Sequence, residues 1–217
     1  MSVNVPLGPL LDPAFHLGTV PTTWAELLGF GTGALNVWLV VRQNILNWPI
    51  GIANVTLLGL VFLDGGLYAD SGLQLFYIGL QLYGWWTWLY GGDGRDNLPV
   101  RRTRRTEWVG IITAGVVATA LLTWALSVWT DSTVAFWDAL TTAISLMAVY
   151  GQSRKLLESW WLWITVDLVY IPLYFYKDLA LTGVLYIIFL TLCVFGLRAW
   201  NRDLRSRTGA EPATAPA

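Results

Sequence analysis

The sequence has 217 residues, of which 55% are hydrophobic and 12% are charged, and its formal net charge is −1. An ordinary soluble domain carries about 25% charged residues, so this composition excludes a typical soluble domain and indicates a membrane protein. One histidine and one cysteine are too few for a disulfide framework or for a typical zinc or haem site. We therefore expect no cofactor, and we interpret Cys193 as a packing residue.

Seven apolar segments follow one another along the chain. A helix needs about 20 apolar residues to cross the hydrocarbon core of a bilayer, which is about 30 Å thick. Residues 1–22 have no basic stretch and are expected to form a surface or flexible segment rather than a signal peptide. The tail at 201–217 is expected to be solvated. The segments lie at 23–41, 46–63, 68–90, 108–129, 134–150, 157–176 and 179–200.

Basic residues fall in alternate connections between these segments. One set of connections contains Arg42, Arg95 with the stretch RRTRR at 101–105, and Arg154 with Lys155. Four more arginines lie at and beyond the end of the last segment, namely Arg198, Arg202, Arg205 and Arg207. The other set contains a single basic residue, Lys177. Because Lys and Arg are retained in the cytoplasm during insertion, we predict an inner-membrane protein with its N-terminus outside and its C-terminus in the cytoplasm. We interpret RRTRR as a contact with acidic lipid headgroups rather than with nucleic acid.

The two halves of the chain resemble each other. An alignment that places 47–62 on 160–175 pairs Trp48 with Trp161 and Asn54 with Asp167. When the alignment is shifted by one residue in the following loop, a glycine and a tryptophan of the first half also align with a glycine and a tryptophan of the second half. The alternative, chance similarity between Trp-rich apolar helices, remains open.

Internal repeats of this kind are common in transporters. An odd number of helices separates the two copies, so both copies have the same orientation in the membrane. We predict an all-α fold of seven transmembrane helices in a parallel 3+1+3 arrangement. Its parts are a first three-helix unit at 23–90, a basic cytoplasmic loop at 91–107, a linker helix at 108–129 and a second three-helix unit at 134–200.

A carboxylate lies in the middle of the sixth segment. A charge near the centre of a membrane helix costs about 2.5 to 3.5 kcal/mol on insertion scales, and it usually faces a cavity, a partner or a ligand. Aromatic faces beside an acceptor can hold a flat, cationic or hydrogen-bonding ring. The alternative is that the carboxylate bonds to a neighbouring helix and that the first tryptophans belong to the interfacial belt. The residues that share this helix face include Trp160, Trp163, Asp167 and Tyr170.

Polar stripes also run along the second and third segments. Asn54 lies on one helix face with Asn47, and Gly51 between them allows close approach of helices. We predict that the second, third and sixth segments enclose a polar, aromatic pocket, with Asn36 behind it. No nucleotide-binding loop, catalytic triad or metal-ligand spacing is present, so we do not expect an enzyme. The stripe on the third segment contains Gln74, Tyr77, Gln81 and Trp85.

With these residues in place, the chain resembles the PnuC family of bacterial transporters of vitamin precursors over about 25–200. The resemblance lies in NWPIGIAN at 47–54, in LYADSGLQLFYIGLQLYGWWTW at 67–88 and in ESWWLWITVDLVYIPLYFYKDLALTGVLY at 158–186. It implies a SWEET-like fold, a homotrimer, and facilitated uptake of nicotinamide riboside that is trapped in the cell by phosphorylation. The contacts that it implies are Gln81, Trp160, Trp163 and Asp167, with Asn54 as the repeat partner of Asp167.

The family pattern W-x-x-W-x-x-x-N/D ends here in Asp167, whereas members assigned to nicotinamide riboside often have Asn. A cation, such as the pyridinium of nicotinamide riboside or the thiazolium of thiamine, would offset the desolvation of a carboxylate. Either cation would suit Asp167 equally well. The runs LYGWWTW at 82–88 and PLYFYKDLALTG at 172–183 resemble the nicotinamide riboside branch of the family, so we expect nicotinamide riboside as the small-molecule substrate. Riboflavin or thiamine transport by the same family, and a membrane-embedded binding subunit or sensor that requires a partner, are the alternatives.

Overall fold

Helices dominate the structure, a computed structural model that describes residues 8–17, 20–64, 66, 68–95, 97–129, 135–176 and 180–209. The chain forms two compact units, Met1–Trp86 and Thr87–Ala217. Residues 1–7, Lys177 and the end of the tail at 210–217, for which the sequence makes predictions, lie outside the described residues.

The N-terminal segment contains regular structure that the sequence does not predict. A short helix, α1 (Gly8–Leu11), is followed by an antiparallel hairpin of β1 (Pro13–Leu17) and β2 (Val20–Thr23). Proline is tolerated at the first position of a strand, and Pro13 lies there. Val20 and the two threonines of β2 favour an extended backbone. That the segment lies at the membrane surface or is flexible stays a prediction.

Seven long helices then follow, and each predicted apolar segment falls on one of them. Helices suit such segments because they satisfy every backbone polar group internally. Three of these helices are long and apolar enough to cross a membrane by length and composition, namely α3, α5 and the Gly183–Arg207 part of α8. That all seven cross stays a prediction. The helices are α2 (Trp24–Val41), α3 (Asn47–Asp64), α4 (Tyr68–Tyr90), α5 (Arg105–Trp129), α6 (Ala135–Ser153), α7 (Ser159–Tyr176) and α8 (Ala180–Gly209).

In the unit Met1–Trp86, α2 packs on α3, and α3 meets α4 where glycines face large side chains. The ring of Trp48 lies on Gly84, where an added Cβ would overlap it. Gly59 faces Gln74 in the same way, because a Cβ at Gly59 would lie 3.2 Å from the Cβ of Gln74. Close helix approach at small residues is the usual way in which membrane helices associate.

In the unit Thr87–Ala217, α5 packs on α6, α6 on α7, and α7 on α8. Trp160 is completely buried. Its ring lies on Gly196, where a Cβ would overlap it, and meets the ring of Trp200 edge-on at a centroid distance of 5.3 Å. The last turn of α4 belongs to this unit, and the indole N–H of Trp88 donates to the carbonyl of Gln152 at 2.9 Å.

The α2–α3 and α6–α7 connections have the same local geometry. The second residue after each helix end is left-handed, with φ of 51° at Gln43 and 48° at Lys155. The next residue donates its N–H to a carbonyl in the last turn of the helix. The N–H of Asn44 donates to the carbonyl of Leu39 at 2.9 Å, and the N–H of Leu156 donates to the carbonyl of Gly151 at 2.8 Å. This is the Schellman ending, which usually has glycine at the left-handed position. When Gln43 is aligned with Lys155, the donors and acceptors of the two connections coincide, and we refer to this alignment as the shared register.

The shared register also pairs two buried tryptophans, Trp48 and Trp160. Trp48 is 4% exposed and Trp160 is fully buried, and each lies on a glycine of the second helix that follows its connection. The alignment expected from the sequence instead pairs Trp48 with Trp161, which is 56% exposed. The structure therefore favours the shared register throughout, and this register pairs Asn54 with Val166 rather than with Asp167.

The α6–α7 connection is held by the chain that precedes α5. The N–H of Arg101 donates to Lys155 at 3.1 Å, and the N–H of Leu157 donates to Arg101 at 2.9 Å. The ammonium of Lys155 lies 4.4 Å from the centroid of the Trp88 ring. Burial lowers the pKa of Lys155 to about 8, and the charge of Arg207 acts in the same direction. This lysine is thus a packed part of the connection rather than a solvated lipid anchor.

Candidate functional site

Asp167 lies halfway along α7 and is only 3% exposed. The thiol of Cys193 on α8 lies near its carboxylate. One carboxylate oxygen, Oδ2, is buried and has no hydrogen-bond partner among the described residues. A buried carboxylate is stable only when it is paired or well hydrogen-bonded. Oδ2 is therefore an acceptor that a ligand can use.

Trp163 supplies a donor one turn before this acceptor. Its side chain is half-buried, and its indole N–H is buried without a partner in the described part of the chain. Residues four apart lie above one another on a helix, so this N–H and Oδ2 of Asp167 belong to one face of α7. The face offers one donor and one acceptor together.

Tyrosines continue this face beyond Asp167. The ring centroid of Tyr170 lies 5.0 Å from that of Tyr186 on α8. The ring of Tyr174 stacks on that of Tyr186 at a centroid distance of 5.1 Å. The rings thus form an aromatic cluster from α7 and α8 that begins one turn beyond Asp167.

Trp160 has a different environment from Trp163, although both belong to the predicted site. Its ring fills the contact between α7 and α8 on Gly196, so its main role in the structure is packing. Its indole N–H is nevertheless buried without a described partner. Trp161 is exposed, as the interpretation as a membrane-belt residue requires.

The other unit contains a second polar cluster. Gln81 on α4 is 8% exposed, and its side-chain oxygen lies on Gly51 of α3 in a place that a Cβ would occupy. The amide nitrogen of Asn36 on α2 would lie 3.1 Å from the same Cβ. The oxygen of Asn36, Oδ1, is buried and has no partner among the residues that the structure describes. This cluster therefore also leaves an acceptor for a ligand.

Asn54 has a defined structural task. Its amide donates to the carbonyl of Gly29 at 2.9 Å and to the hydroxyl of Thr32 at 2.7 Å, which joins α3 to α2. Gln74 is buried against Gly59. Tyr77 and Trp85 are half-buried. The predicted residues of this unit therefore separate into helix contacts and the cluster at Gln81.

Two residues of these clusters have larger roles in the structure than the sequence indicates. The sequence indicates only packing for Cys193, and the structure places its thiol near the carboxylate of Asp167. The sequence places Asn36 behind the pocket, and the structure places it beside Gln81 and Gly51. A polar residue in an apolar helix is the available signal for Asn36, whereas a cysteine gives no such signal because it commonly packs as a small apolar residue.

An apolar groove of about 730 Å³ lies elsewhere, along α5 and α6. It contains none of the predicted site residues. Thr119 lies in the groove, but its hydroxyl donates to the carbonyl of Gly115 in its own helix. The groove therefore resembles a lipid-facing surface more than a site for a polar vitamin.

The comparison with known protein families agrees with the helical architecture and the intramembrane polar residues. Residues 23–202 match the family described as nicotinamide mononucleotide transporter. The chain belongs to this family. It is thus a transporter of the PnuC type rather than an enzyme, and the resemblance found in the sequence is confirmed.

Relatives of known substrate cover nearly the whole chain. The riboflavin/roseoflavin transporter RibM of Streptomyces davaonensis is 30% identical over 94% of this chain and 95% of its own length. The nicotinamide riboside transporter PnuC of Escherichia coli is 24% identical over 94% of this chain and 93% of its own length. The crystal structure of the vitamin B3 transporter PnuC matches with a TM-score of 0.66 and 24% identity, covering 84% of this chain and 83% of that one. The fold is therefore that of a multi-pass membrane transporter.

The bonds of Asn54 lead to a prediction about stability. Asn54→Leu removes both bonds to α2 and should lower the unfolding free energy by about 1 to 3 kcal/mol, seen as a lower melting temperature in detergent. Thr56→Val is the matched control, because the Thr56 hydroxyl bonds only within its own helix, to Ile52, and its melting temperature should barely change. An unchanged melting temperature for Asn54→Leu together with lost ligand affinity would contradict the helix-joining role.

Proposed function

We propose that this protein mediates facilitated uptake of nicotinamide riboside across the bacterial inner membrane, with trapping in the cytoplasm by phosphorylation. The observation that carries the proposal is the buried Oδ2 of Asp167 without a described partner, on the same helix face as the free indole N–H of Trp163. No nucleotide-binding motif is present in the sequence, which supports transport down a gradient.

The donor and acceptor of α7 fit an amide group. The carboxamide of nicotinamide carries N–H donors for Oδ2 and a carbonyl for the Trp163 N–H. Its pyridinium charge would also compensate the carboxylate, whose burial is otherwise costly. The neighbouring tyrosine rings offer stacking surfaces, and stacked aromatic pairs contribute about 0.5 to 1.5 kcal/mol each. A flat, cationic ring with an amide satisfies all of these groups.

Riboflavin is the second candidate, and a specific observation favours it. RibM, a riboflavin/roseoflavin transporter, is 30% identical to this chain, whereas the PnuC relative of Escherichia coli is 24% identical. The flavin ring carries an imide N–H between two carbonyls, which suits the same donor and acceptor. Riboflavin is neutral, so it would leave the charge of an ionised Asp167 uncompensated. The charge of the ligand is therefore what separates the two candidates.

We propose substrate contacts in both units. Trp163 and Asp167 are the primary contacts because their polar atoms lack described partners, and Gln81 contributes through its cluster with Asn36. Tyr170 offers ring surface. Trp160 and Asn54 act mainly by holding the neighbouring helices. The remaining proposed contacts are Gln74, Tyr77 and Trp85.

We also propose the parallel 3+1+3 repeat related to SWEET proteins. It is supported by the shared register, which relates the Schellman endings at Gln43 and Lys155 and the tryptophan–glycine contacts of Trp48 and Trp160. Chance similarity of apolar sequences does not account for shared left-handed residues, since non-glycine residues rarely adopt that conformation. α5 is the linker helix in this arrangement.

Transport is tested with purified protein in liposomes. Labelled nicotinamide riboside should enter to equilibrium without ATP or an ion gradient, and the ligand should quench tryptophan fluorescence. Asp167→Asn keeps the shape but removes the charge, and should weaken nicotinamide riboside binding by about tenfold or more, because hydrogen bonds to charged groups contribute about 1.5 to 3 kcal/mol. Asp167→Leu should abolish binding.

Asp93→Asn is the matched control, because Asp93 is an exposed carboxylate outside the long helices. Quenching and uptake of riboflavin or thiamine, with no response to nicotinamide riboside, would reassign the substrate. Binding without uptake would support a binding subunit or sensor. Loss of the folded protein in Asp167→Leu would identify Asp167 as a purely structural residue.

The loop charges support a cytoplasmic C-terminus. Green fluorescent protein fused to the C-terminus should fluoresce in cells, and alkaline phosphatase fused at the same place should be inactive. The same two reporters fused ahead of the N-terminus behind a signal sequence should show the reverse. An active phosphatase at the C-terminus would invert the proposed topology.

We propose a homotrimer, in contact with membrane lipid. α5 supports it, since Ile111 is its only buried residue among those described, and the rest of its apolar surface is left for lipid or another copy. Native mass spectrometry in mild detergent should give three times the chain mass of 24.2 kDa. A mass of one chain at all protein concentrations would contradict the assembly.

A further inference from the structure

The apolar groove between α5 and α6 has basic residues at one end. It runs along α5 from Trp108 to Trp124. Arg104 and Arg105 precede Trp108 by four and three residues, and the N–H of Trp108 donates to the carbonyl of Arg104 at 3.0 Å. Residues three and four apart lie above one another on a helix. The two arginines therefore lie just ahead of the groove, on the same face of α5.

The carboxylates nearby are used by the other two arginines of RRTRR. The guanidinium of Arg101 donates to both oxygens of Glu107, at 2.8 and 2.6 Å. Arg102 lies 4.0 Å from Glu158. The remaining two arginines are exposed, and they form no ion pair among the residues that the structure describes. Two positive charges are thus left uncompensated at this end of the groove.

The walls of the groove are apolar and exposed. Ile112 and Val116 of α5 are 58% and 64% exposed, and Phe136 of α6 is 51% exposed. The two helices meet at Gly115, where an added Cβ would lie 3.7 Å from Cγ of Met147. Apolar surface of this kind is stable when hydrocarbon or another apolar surface covers it.

The dimensions of the groove fit a hydrocarbon chain rather than a helix. The sixteen residues from Trp108 to Trp124 rise about 24 Å, and 730 Å³ spread over this length gives a mean cross-section of about 30 Å². A helix with its side chains is about 10–12 Å across, which corresponds to about 80 Å² or more. A second copy of the chain could therefore insert side chains into the groove but not a helix, whereas an acyl chain can lie along it.

We propose that this groove binds one acyl chain of an anionic phospholipid whose phosphate is held by Arg104 and Arg105. Half of the hydrocarbon core is about 15 Å deep, or about ten residues of helix, so a chain that starts beside Arg105 reaches Gly115. The proposed topology places the arginines at the cytoplasmic leaflet, whose negative charge attracts basic residues. The groove contains none of the proposed substrate contacts, so this site is separate from the one for the vitamin.

The headgroup is tested with phosphatidylglycerol and phosphatidylcholine that carry the same acyl chains. Native mass spectrometry of the full-length protein should show one phosphatidylglycerol per chain, bound about tenfold or more tightly than phosphatidylcholine. Arg104→Gln combined with Arg105→Gln should weaken phosphatidylglycerol binding by about thirtyfold, because each arginine contributes about fivefold to the binding of an anionic lipid. Equal binding of the two lipids to wild type would overturn the proposal.

Arg198→Gln combined with Arg202→Gln is the matched control for charge. Both are exposed arginines of α8, and neither lines the groove. This pair should leave the affinity for phosphatidylglycerol close to that of wild type. A loss equal to that of the first pair would show a response to total charge alone and would overturn the proposal.

The groove itself is tested by filling it. Gly115→Leu and Val116→Phe place side chains where the acyl chain would lie, and both should abolish retention of the tightly bound lipid. Val116 is mostly exposed, so its substitution should leave the melting temperature in detergent unchanged. Gly110→Leu is the matched control on α5, because nothing lies within 4 Å of a Cβ at Gly110, and it should bind the lipid as wild type does.

Two results of this experiment would reject the lipid site. Unchanged lipid binding in both Gly115→Leu and Val116→Phe would show that no acyl chain lies in the groove. Loss of the oligomer in these variants, with lipid binding unchanged, would assign the groove to contacts with a second copy of the chain.

Discussion

A polar group in the interior of a membrane has no water to replace a missing hydrogen bond, and this constraint governs the arrangement of the second unit. Asp167 lies in the middle of α7 at 3% exposure, and its buried Oδ2 has no described partner. Leaving a buried acceptor unsatisfied costs about 1 to 3 kcal/mol, and more for a charged group. Such an arrangement is unfavourable for a purely structural residue, whereas it suits a site that a ligand completes.

The rigidity of this site depends on tryptophans that pack on glycines. Trp160 holds α7 on α8 through Gly196, and Trp48 holds α3 on α4 through Gly84. A Cβ at either glycine would overlap the ring, so the helices could not keep their present separation. Packed interiors tolerate such overpacking only at a cost of about 1 to 3 kcal/mol. These contacts fix α3 and α7 near their first turns. The polar residues farther along each of these helices are thereby held in a defined position.

Much of the fold follows from the sequence because apolar length is a strong signal in membrane proteins. The predicted segment at 68–90 coincides with α4, and the others agree with their helices within a few residues except at the end of α8. The burial of Asp167 and Gln81 could be predicted, because each is a polar residue within an apolar segment. Which of the adjacent Trp160 and Trp161 is buried could not be predicted, since both alignments with Trp48 are possible from the sequence. The partners of Asn54 could not be predicted either, because they depend on which helix faces meet.

The charge of Asp167 determines what a ligand has to supply. A buried carboxylate oxygen without a partner costs free energy until a donor or a positive charge reaches it. The same carboxylate can then accept from a cationic carboxamide ring or from a flavin imide, and the choice between them depends on whether the ligand brings a positive charge.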